Sequence, residues 1–159
     1  MERLRGFPPV IAPDSRILIL GSFPSEASLA AAQYYAHPRN QFWRLLGAVL
    51  DEPLAQLGYA ERLERMLMHQ VGLWDIVAAC ERRGSLDTAI RNATLNGLET
   101  LRRRAPALEK VCFNGATAGR LEPTMRMAGY RTLILPSSSP AHAARSFGQK
   151  LERWREIPI

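Results

Sequence analysis

Short apolar runs recur along the chain, separated by segments in which apolar residues follow a helical spacing. These runs predict strands at residues 16–21, 71–77, 108–113 and 130–135. The first of them is continuous, which is the pattern of a strand buried on both faces, as in a parallel sheet. The segment after the second run is more polar, and we expect residues 78–93 to form a loop with room for one short helix.

The amphipathic segments predict helices between these strands. Phe42, Leu45, Leu46 and Val49 recur at helical spacing after Asn40, which fits an N-cap position. Further helices are predicted over about 26–33 after Ser25, around 63–67, from a cap at Thr94 to Arg104, over about 116–128, and through the spacing of Phe147, Leu151 and Trp154.

The alternation of four short strands with helices predicts one parallel sheet with right-handed crossovers and helices on both faces. The expected fold class is therefore α/β, with three layers (α/β/α) and a four-stranded parallel sheet in one domain over 1–159. Parallel strands point their carboxyl ends to one edge, where such sheets bind ligands. The turns at 21–25, 75–78, 114–116 and 136–142 should meet there.

Composition and cysteine count narrow the class of protein. The chain has 159 residues, of which 47% are hydrophobic and 23% charged, as in soluble globular proteins. No apolar run is long enough to span a bilayer, and the first nine residues carry no apolar signal segment, so we expect a cytoplasmic protein. Cys80 and Cys112 are too few for a four-cysteine metal cluster and are expected to be reduced core residues.

The charge is basic, with a formal net charge of +6 and a pI of about 10.0. A basic excess favours polyanionic partners such as nucleic acids, although a protein with an ordinary basic surface can have the same net charge. Arginines cluster at 82–83, at 102–104 and near the C-terminus. The three at 102–104 cannot share one helix face, so that cluster is predicted to be solvated surface.

The first turn is followed by an unusual group of aromatic, basic and amide side chains. Gly21 permits an unusual backbone angle or a close approach, and Pro24 stiffens the exit. Tyr34-Tyr35 and the string His37-Pro38-Arg39-Asn40-Gln41-Phe42-Trp43 come next. These aromatic rings cannot all pack inward, so some are expected to form a stacking surface for a nucleobase.

Two polar residues end predicted strands at the same edge. Asp75 can be an exposed loop acid or a helix cap, or its carboxylate can accept an N–H from the pairing edge of a base. Asn114 can be a simple turn residue before Gly115, or its amide can bond to a base carbonyl.

The last turn contains three consecutive serines between prolines. With His142, Ser138 suggests an acyl-transfer nucleophile, but the chain has no G-x-S-x-G elbow. A stiff loop with small hydroxyl side chains better suits contacts to phosphates and close approach to a groove.

These turns, in this order, resemble the uracil-DNA glycosylase superfamily, over about residues 15–157. The first motif is Gly21-Ser22-Phe23-Pro24-Ser25 and the second is Leu135-Pro136-Ser137-Ser138-Ser139-Pro140-Ala141-His142. The string from His37 to Trp43 is similar to that of the hypoxanthine-DNA (deoxyinosine) glycosylase branch.

The chain departs from many superfamily members at two positions. Where they carry an Asp or Asn that positions water, this chain has Phe23, and the resemblance to the branch implies that Asn40 takes that catalytic role. Where many members recognise the base with an Asn after the second strand, this chain has Asp75.

The resemblance implies a monofunctional enzyme that flips a deaminated base out of DNA and hydrolyses its N-glycosidic bond. Hypoxanthine is the first candidate substrate and uracil the second; we expect a monomer, no metal and no other cofactor. The expected base-binding residues are Phe23, Tyr35, Phe42, Asp75 and Asn114, and the expected DNA contacts are Ser22, Arg39, Ser137, Ser138, Ser139 and His142. Two alternatives stay open: a non-catalytic α/β module that binds nucleic acid, and a small esterase that uses Ser138 and His142.

Overall fold

The computed structural model describes residues 1–159 and contains a four-stranded parallel sheet. Its strands, in spatial order, are β3 (Val71–Asp75), β2 (Ile17–Gly21), β6 (Lys110–Asn114) and β7 (Arg131–Leu135). Gly21 pairs with Asp75, and Asn114 pairs with Leu135, so the carboxyl ends of all four strands are aligned along one edge.

Helices cover both faces of this sheet, which confirms the predicted α/β/α fold class. Alternate residues of β2 enter different hydrophobic clusters: Ile19 points to one face and Leu20 to the other, and both are fully buried. The helices are α1 (Glu26–Ala31), α2 (Phe42–Leu50), α3 (Tyr59–Met68), α4 (Thr100–Arg104), α5 (Glu122–Met127) and α6 (Phe147–Trp154). The first cluster includes residues of α2, α3 and α6, and the second includes residues of α4 and α5.

A second, antiparallel sheet occupies the segment that the sequence predicts as a loop. β4 (Val77–Glu81) pairs with β1 (Leu4–Arg5) on one side and with β5 (Arg91–Leu95) on the other. The prediction of a loop over 78–93 is therefore wrong. The apolar run at 71–77 contains the whole of β3 and continues into the first residue of β4. β5 shows no alternation of apolar and polar burial because all its residues are exposed.

Two predicted helices differ from those in the structure. Thr94 lies in β5, and the helix that it was expected to cap begins only at Thr100. The segment 116–128 contains a short 3-10 helix (Ala118–Leu121) followed by α5, with Pro123 in the first turn of α5. A proline is tolerated there because the first N–H groups of a helix have no intrahelical acceptor.

Both cysteines are buried and free of disulfide bonds, as predicted. Burial raises the pKa of the Cys112 thiol to about 12, which keeps it protonated and unreactive. None of the helices has the length and apolar character needed to span a bilayer.

Candidate active site

The predicted turns converge on a cleft of about 380 Å³ at the carboxyl edge of the parallel sheet. Residues 21–25, Asp75, residues 114–117 and the loop 137–142 contribute to its lining. A further contribution comes from residues 85–88, which connect β4 to β5. A cleft of this size is large enough to enclose a small molecule or a single base.

Asp75 is the most strongly perturbed acid of the cleft. Its residue is only 4% exposed, and its Oδ2 atom has no hydrogen-bond partner. Burial, followed by the negative charge of Asp87, raises the pKa of the Asp75 carboxyl to about 7. At pH 7 the free protein therefore holds comparable amounts of the neutral acid and the carboxylate.

Gly21 makes room for this carboxyl group. A Cβ atom at position 21 would lie 2.6 Å from Oδ1 of Asp75 and 2.6 Å from the hydroxyl oxygen of Tyr35. Both distances are shorter than real Cβ contacts allow. The glycine is needed for this close approach and not for a positive φ angle.

Tyr35 presents an aromatic side chain to the cleft. Its ring stacks on Phe42 with centroids 4.0 Å apart and an interplanar angle of 10°. Phe42 itself is completely buried and does not line the cleft, so the expectation that Phe42 contacts a base directly is wrong. Phe42 instead supports Tyr35, whose φ of 55° is unusual for an aromatic residue and costs about 1–3 kcal/mol.

Asn114 joins two parts of the cleft through its side-chain amide. Its Nδ2 donates to the hydroxyl of Tyr35 at 3.1 Å and to Oγ of Ser138 at 2.9 Å. Its Oδ1 accepts from the backbone N–H of Ser138 at 2.9 Å. Both amide protons are thus committed, which leaves Asn114 with one acceptor lone pair and no free donor for a base carbonyl.

Ser138 is fully buried by this pairing, which corrects two expectations. Its hydroxyl bonds to Asn114, so it does not face DNA from the surface. Ser138 lines the cleft, but no hydrogen bond joins its hydroxyl to His142, so the pair that an esterase would need is not formed. Ser137, Ser139 and His142 also line the cleft, and each is partly exposed.

Residues 137–142, here called the serine loop, are held rigid by hydrogen bonds within the loop and by a contact from α6. Oγ of Ser137 accepts from the backbone N–H of Ser139 at 3.1 Å, and the backbone N–H of His142 donates to the carbonyl of Ser139 at 3.0 Å. Lys150 of α6 is only 2% exposed, and its Nζ lies 3.5 Å from that same carbonyl. Burial lowers the pKa of the Lys150 ammonium group.

The first motif is fastened to the loop between β4 and β5. Arg82 donates from Nη2 to the carbonyl of Pro24 at 2.7 Å and from Nε to the carbonyl of Gly84 at 2.8 Å. Its guanidinium also lies 5.2 Å from the ring centroid of Phe23, which lines the cleft. The residue is 5% exposed, so Arg82 is a structural clamp and not part of a surface cluster.

Ser22 also belongs to this connection. Its hydroxyl donates to Oδ1 of Asp87 at 2.6 Å, and Asp87 lines the cleft. The sequence singled out Arg82 only as part of a basic cluster and gave no reason to single out Asp87, because the strands that hold both residues beside the first motif were not predicted. Polar residues in a segment that is predicted to be a loop do not indicate which part of the fold they contact.

Asn40 lines the cleft and also caps a helix. Its Oδ1 accepts from the backbone N–H of Phe42 at 3.0 Å, although Gln41 occupies the formal N-cap position of α2. The two roles considered for Asn40 are thus compatible. Arg39, in contrast, is exposed and does not line the cleft.

The buried carboxyl of Asp75 should make stability depend on pH in a defined direction. Its pKa in the folded state is above its ordinary value of 3.8, so the folded protein holds this proton more tightly between about pH 4 and 7. This contribution to stability is complete below pH 4 and is lost as the pH rises through 7. Asp75→Asn should therefore raise the free energy of unfolding by roughly 2–4 kcal/mol at pH 8 and far less at pH 4.5.

Denaturant titrations of both proteins at the two pH values measure this difference. Asp14→Asn, at an exposed turn position, is the matched control and should show no such pH dependence. An equal effect of Asp75→Asn at pH 4.5 and pH 8 would contradict the burial of an ionisable carboxyl at this site.

Comparison with known proteins shows the family to which this chain is related. A family model described as the uracil DNA glycosylase superfamily matches residues 8–157. A Methanosarcina barkeri (strain Fusaro) protein named hypoxanthine DNA glycosylase is 45% identical over 152 residues, which cover 96% of each chain. A Methanosarcina acetivorans protein of the same name is 41% identical over 153 residues, again 96% of each chain.

A solved structure agrees with these matches. The solution NMR structure of a candidate uracil DNA glycosylase from Methanosarcina acetivorans has a TM-score of 0.89 to this chain at 40% identity, and the match covers 98% of this chain and 96% of that one. The parallel sheet and the four turns at its carboxyl edge therefore occur in a shared fold. The chain belongs to the uracil DNA glycosylase superfamily.

Proposed function

We propose that this protein releases hypoxanthine from DNA, with uracil as a second substrate, by flipping the nucleotide into the cleft and hydrolysing its N-glycosidic bond. Members of its family that match over nearly the whole chain are named hypoxanthine DNA glycosylases, and the protein is a DNA glycosylase, a hydrolase of N-glycosyl bonds. The observation that carries the choice of base is Asp75, a buried carboxyl with an unpartnered oxygen at the cleft.

Asp75 is suited to recognise a lactam edge. Hypoxanthine and uracil each present a ring N–H beside a carbonyl, whereas adenine presents a bare ring nitrogen beside an amino group. The ionised carboxylate accepts the N–H of the first two bases and repels the lone pair of adenine. A site that hydrogen-bonds one group strongly rejects a base that leaves its buried polar atom unpaired.

The remaining base contacts follow from the geometry. Because both amide protons of Asn114 are bonded to Tyr35 and Ser138, the donor to the base carbonyl is a backbone N–H. The Tyr35 ring, supported by Phe42, supplies the aromatic contact to the flipped base, and Phe23 contributes apolar lining.

Asn40 orients the attacking water through the second lone pair of its amide oxygen. An amide is too weakly basic to remove the proton early in the reaction. The rate enhancement therefore comes mainly from positioning and from electrostatic stabilisation of an oxocarbenium-like transition state. The two lysines of the chain, Lys110 and Lys150, lie outside the cleft lining, which favours simple hydrolysis over Schiff-base chemistry and strand cutting.

The DNA strand lies across the rim of the cleft. Ser137 and Ser139 offer hydroxyl protons to the phosphates beside the flipped nucleotide, and exposed Arg39 adds a positive charge outside the cleft. The expectation that Ser22 contacts DNA in the same way fails, because its hydroxyl proton is already donated to Asp87. His142, at the end of the rigid serine loop, approaches the groove. The protein acts as a monomer in this proposal and uses no metal or organic cofactor.

Excision assays test the proposal directly. Oligonucleotides that contain hypoxanthine, uracil, xanthine, ethenoadenine or only normal bases are incubated with the protein, and alkali with heat converts abasic sites to breaks. We expect fastest release of hypoxanthine, slower release of uracil and none of adenine. DNA binding without release of any base would instead support a non-catalytic module.

Asn40→Ala should lower the single-turnover rate for hypoxanthine by about 100-fold or more, because the water loses its positioning group. Asn40→Ser is the matched control, since a serine hydroxyl can still accept from the first turn of the helix. Asn40→Ala should also lower thermal stability through loss of the helix cap, and we expect Asn40→Ser to restore that stability but not the excision rate. If Asn40→Ser recovers excision as well, Asn40 is only a helix cap.

The pH profile tests the role of Asp75. Since the ionised form accepts the base N–H, the second-order excision rate for hypoxanthine should rise as the pH increases through about 7 and then level off. Asp75→Asn should flatten this rise and change the ratio of hypoxanthine to uracil excision, because an amide can present either a donor or an acceptor. A wild-type rate that falls through pH 7 would instead show that the neutral acid is the active form.

A further inference from the structure

The loop between β4 and β5, residues 82–90 and here called the hairpin loop, places an exposed leucine at the cleft. Leu86 lines the cleft and is 56% exposed. Among the large apolar side chains that line the cleft, it is the one that is exposed, since Phe23 and Tyr34 are buried and Tyr35 is partly buried. Covering the exposed apolar surface of Leu86 with a partner would be favourable.

The hairpin loop holds Leu86 in a fixed position. Asp87, its neighbour, accepts from the hydroxyl of Ser22, and Oγ of Ser85 accepts from the backbone N–H of Glu26 at 3.0 Å. Arg82 ties the start of the loop to Pro24. Both residues that flank Leu86 are thus bonded to the first motif or to the helix that follows it, so the leucine side chain is preorganised at the rim.

The opposite side of the cleft lacks such a side chain. The serine loop ends in Pro140, Ala141 and His142, where the exposed residues are Pro140 and Ala141. A flipped nucleotide leaves a gap in the duplex, and proteins fill such gaps with apolar side chains such as Phe, Leu, Ile, Met or Pro. Pro140 is exposed but does not line the cleft, and Ala141, which does, has only a methyl group. The hairpin loop, in contrast, places a leucine at the cleft.

We infer that Leu86 inserts into the base stack of duplex DNA beside the flipped nucleotide, and that the hairpin loop and the serine loop grip the duplex from two sides of the cleft. The inference rests on the proposed function. The partner is double-stranded DNA because Arg83, on the same loop, is exposed and forms no ion pair in the protein, which leaves a positive charge for a phosphate next to the apolar side chain. A bare apolar site without a charge would fit a protein partner better.

Leu86→Ala tests the inference against a matched control in the same hairpin. Leu95, in β5, is 53% exposed but does not line the cleft, so Leu95→Ala removes the same atoms from an equally exposed position. Single-turnover excision of hypoxanthine is measured from a duplex and from the same single strand. We expect Leu86→Ala to lose roughly tenfold or more on the duplex and less than about twofold on the single strand, because only the duplex must be unstacked.

A fluorescent base gives a second measurement that does not depend on the chemical step. With 2-aminopurine placed next to the hypoxanthine, insertion of Leu86 unstacks the probe and raises its fluorescence, and Leu86→Ala should lose most of that rise. Leu86→Met, which restores apolar volume, should recover both the fluorescence and the duplex rate, while Leu95→Ala should match the wild type.

The outcomes separate this inference from the proposed function. If the wild type releases no base from either substrate, the proposed function fails. If the wild type is active and Leu86→Ala equals Leu95→Ala on the duplex, the insertion of Leu86 is refuted. Equal losses on duplex and single strand also refute it, because Leu86 would then contact the flipped base and not the stack.

Discussion

The carboxyl group of Asp75 is buried at the end of β3 without a partner for one of its oxygens, and the rest of the cleft is arranged around that unpaired group. A buried carboxylate that forms no ion pair is costly, and the protein carries this cost at one position on the edge of its sheet. Gly21, on the paired strand, lacks the side chain that would collide with it. Burial, and after it the negative charge of Asp87, keep the pKa of the Asp75 carboxyl high. A ligand that donates an N–H to this carboxyl satisfies it.

Two structural connections keep the surroundings in place. On one side, Asn114 pairs with Ser138, and the indole Nε1 of Trp154 donates to the carbonyl of Pro136 at 2.9 Å, so the serine loop is tied to both β6 and α6. On the other side, Arg82 and Asp87 fasten the hairpin loop to the first motif. The cleft is therefore built from rigid turns, which suits an enzyme whose catalysis depends on positioning.

The sequence predicted the parallel sheet well because apolar residues dominate its strands, most clearly in the fully buried β2, whose continuous apolar run is typical of a strand buried on both faces. β7 differs in its burial, since Arg131 and Ile134 of this edge strand are exposed. It missed the antiparallel sheet because β5 is exposed along its whole length and β4 follows β3 after one residue. The sequence also placed Asp75, Tyr35 and Asn40 at the cleft, since they follow predicted strands or belong to the distinctive aromatic and polar segment after the first turn.

Burial explains where the residue predictions failed. Phe42 and Ser138 are both fully buried, the first behind Tyr35 and the second against Asn114. The choice between an aromatic ring that faces a ligand and one that supports it depends on packing between distant segments, which a local pattern does not contain. The burial of Arg82 and the position of Leu86 at the cleft also depend on packing between distant segments, so the sequence pattern did not predict them.

The most direct measurement is an NMR titration of the Asp75 carboxyl, assigned with Asp75→Asn, in the free protein and in complex with duplex DNA that carries a non-hydrolysable deoxyinosine analogue. We expect a pKa of about 7 in the free protein, because of burial and the charge of Asp87. We expect a marked fall in this pKa on binding, because the N–H of hypoxanthine donates to the carboxylate. A pKa near 3.8 in the free protein, or no change on binding, would contradict the role of Asp75 as the group that recognises the base.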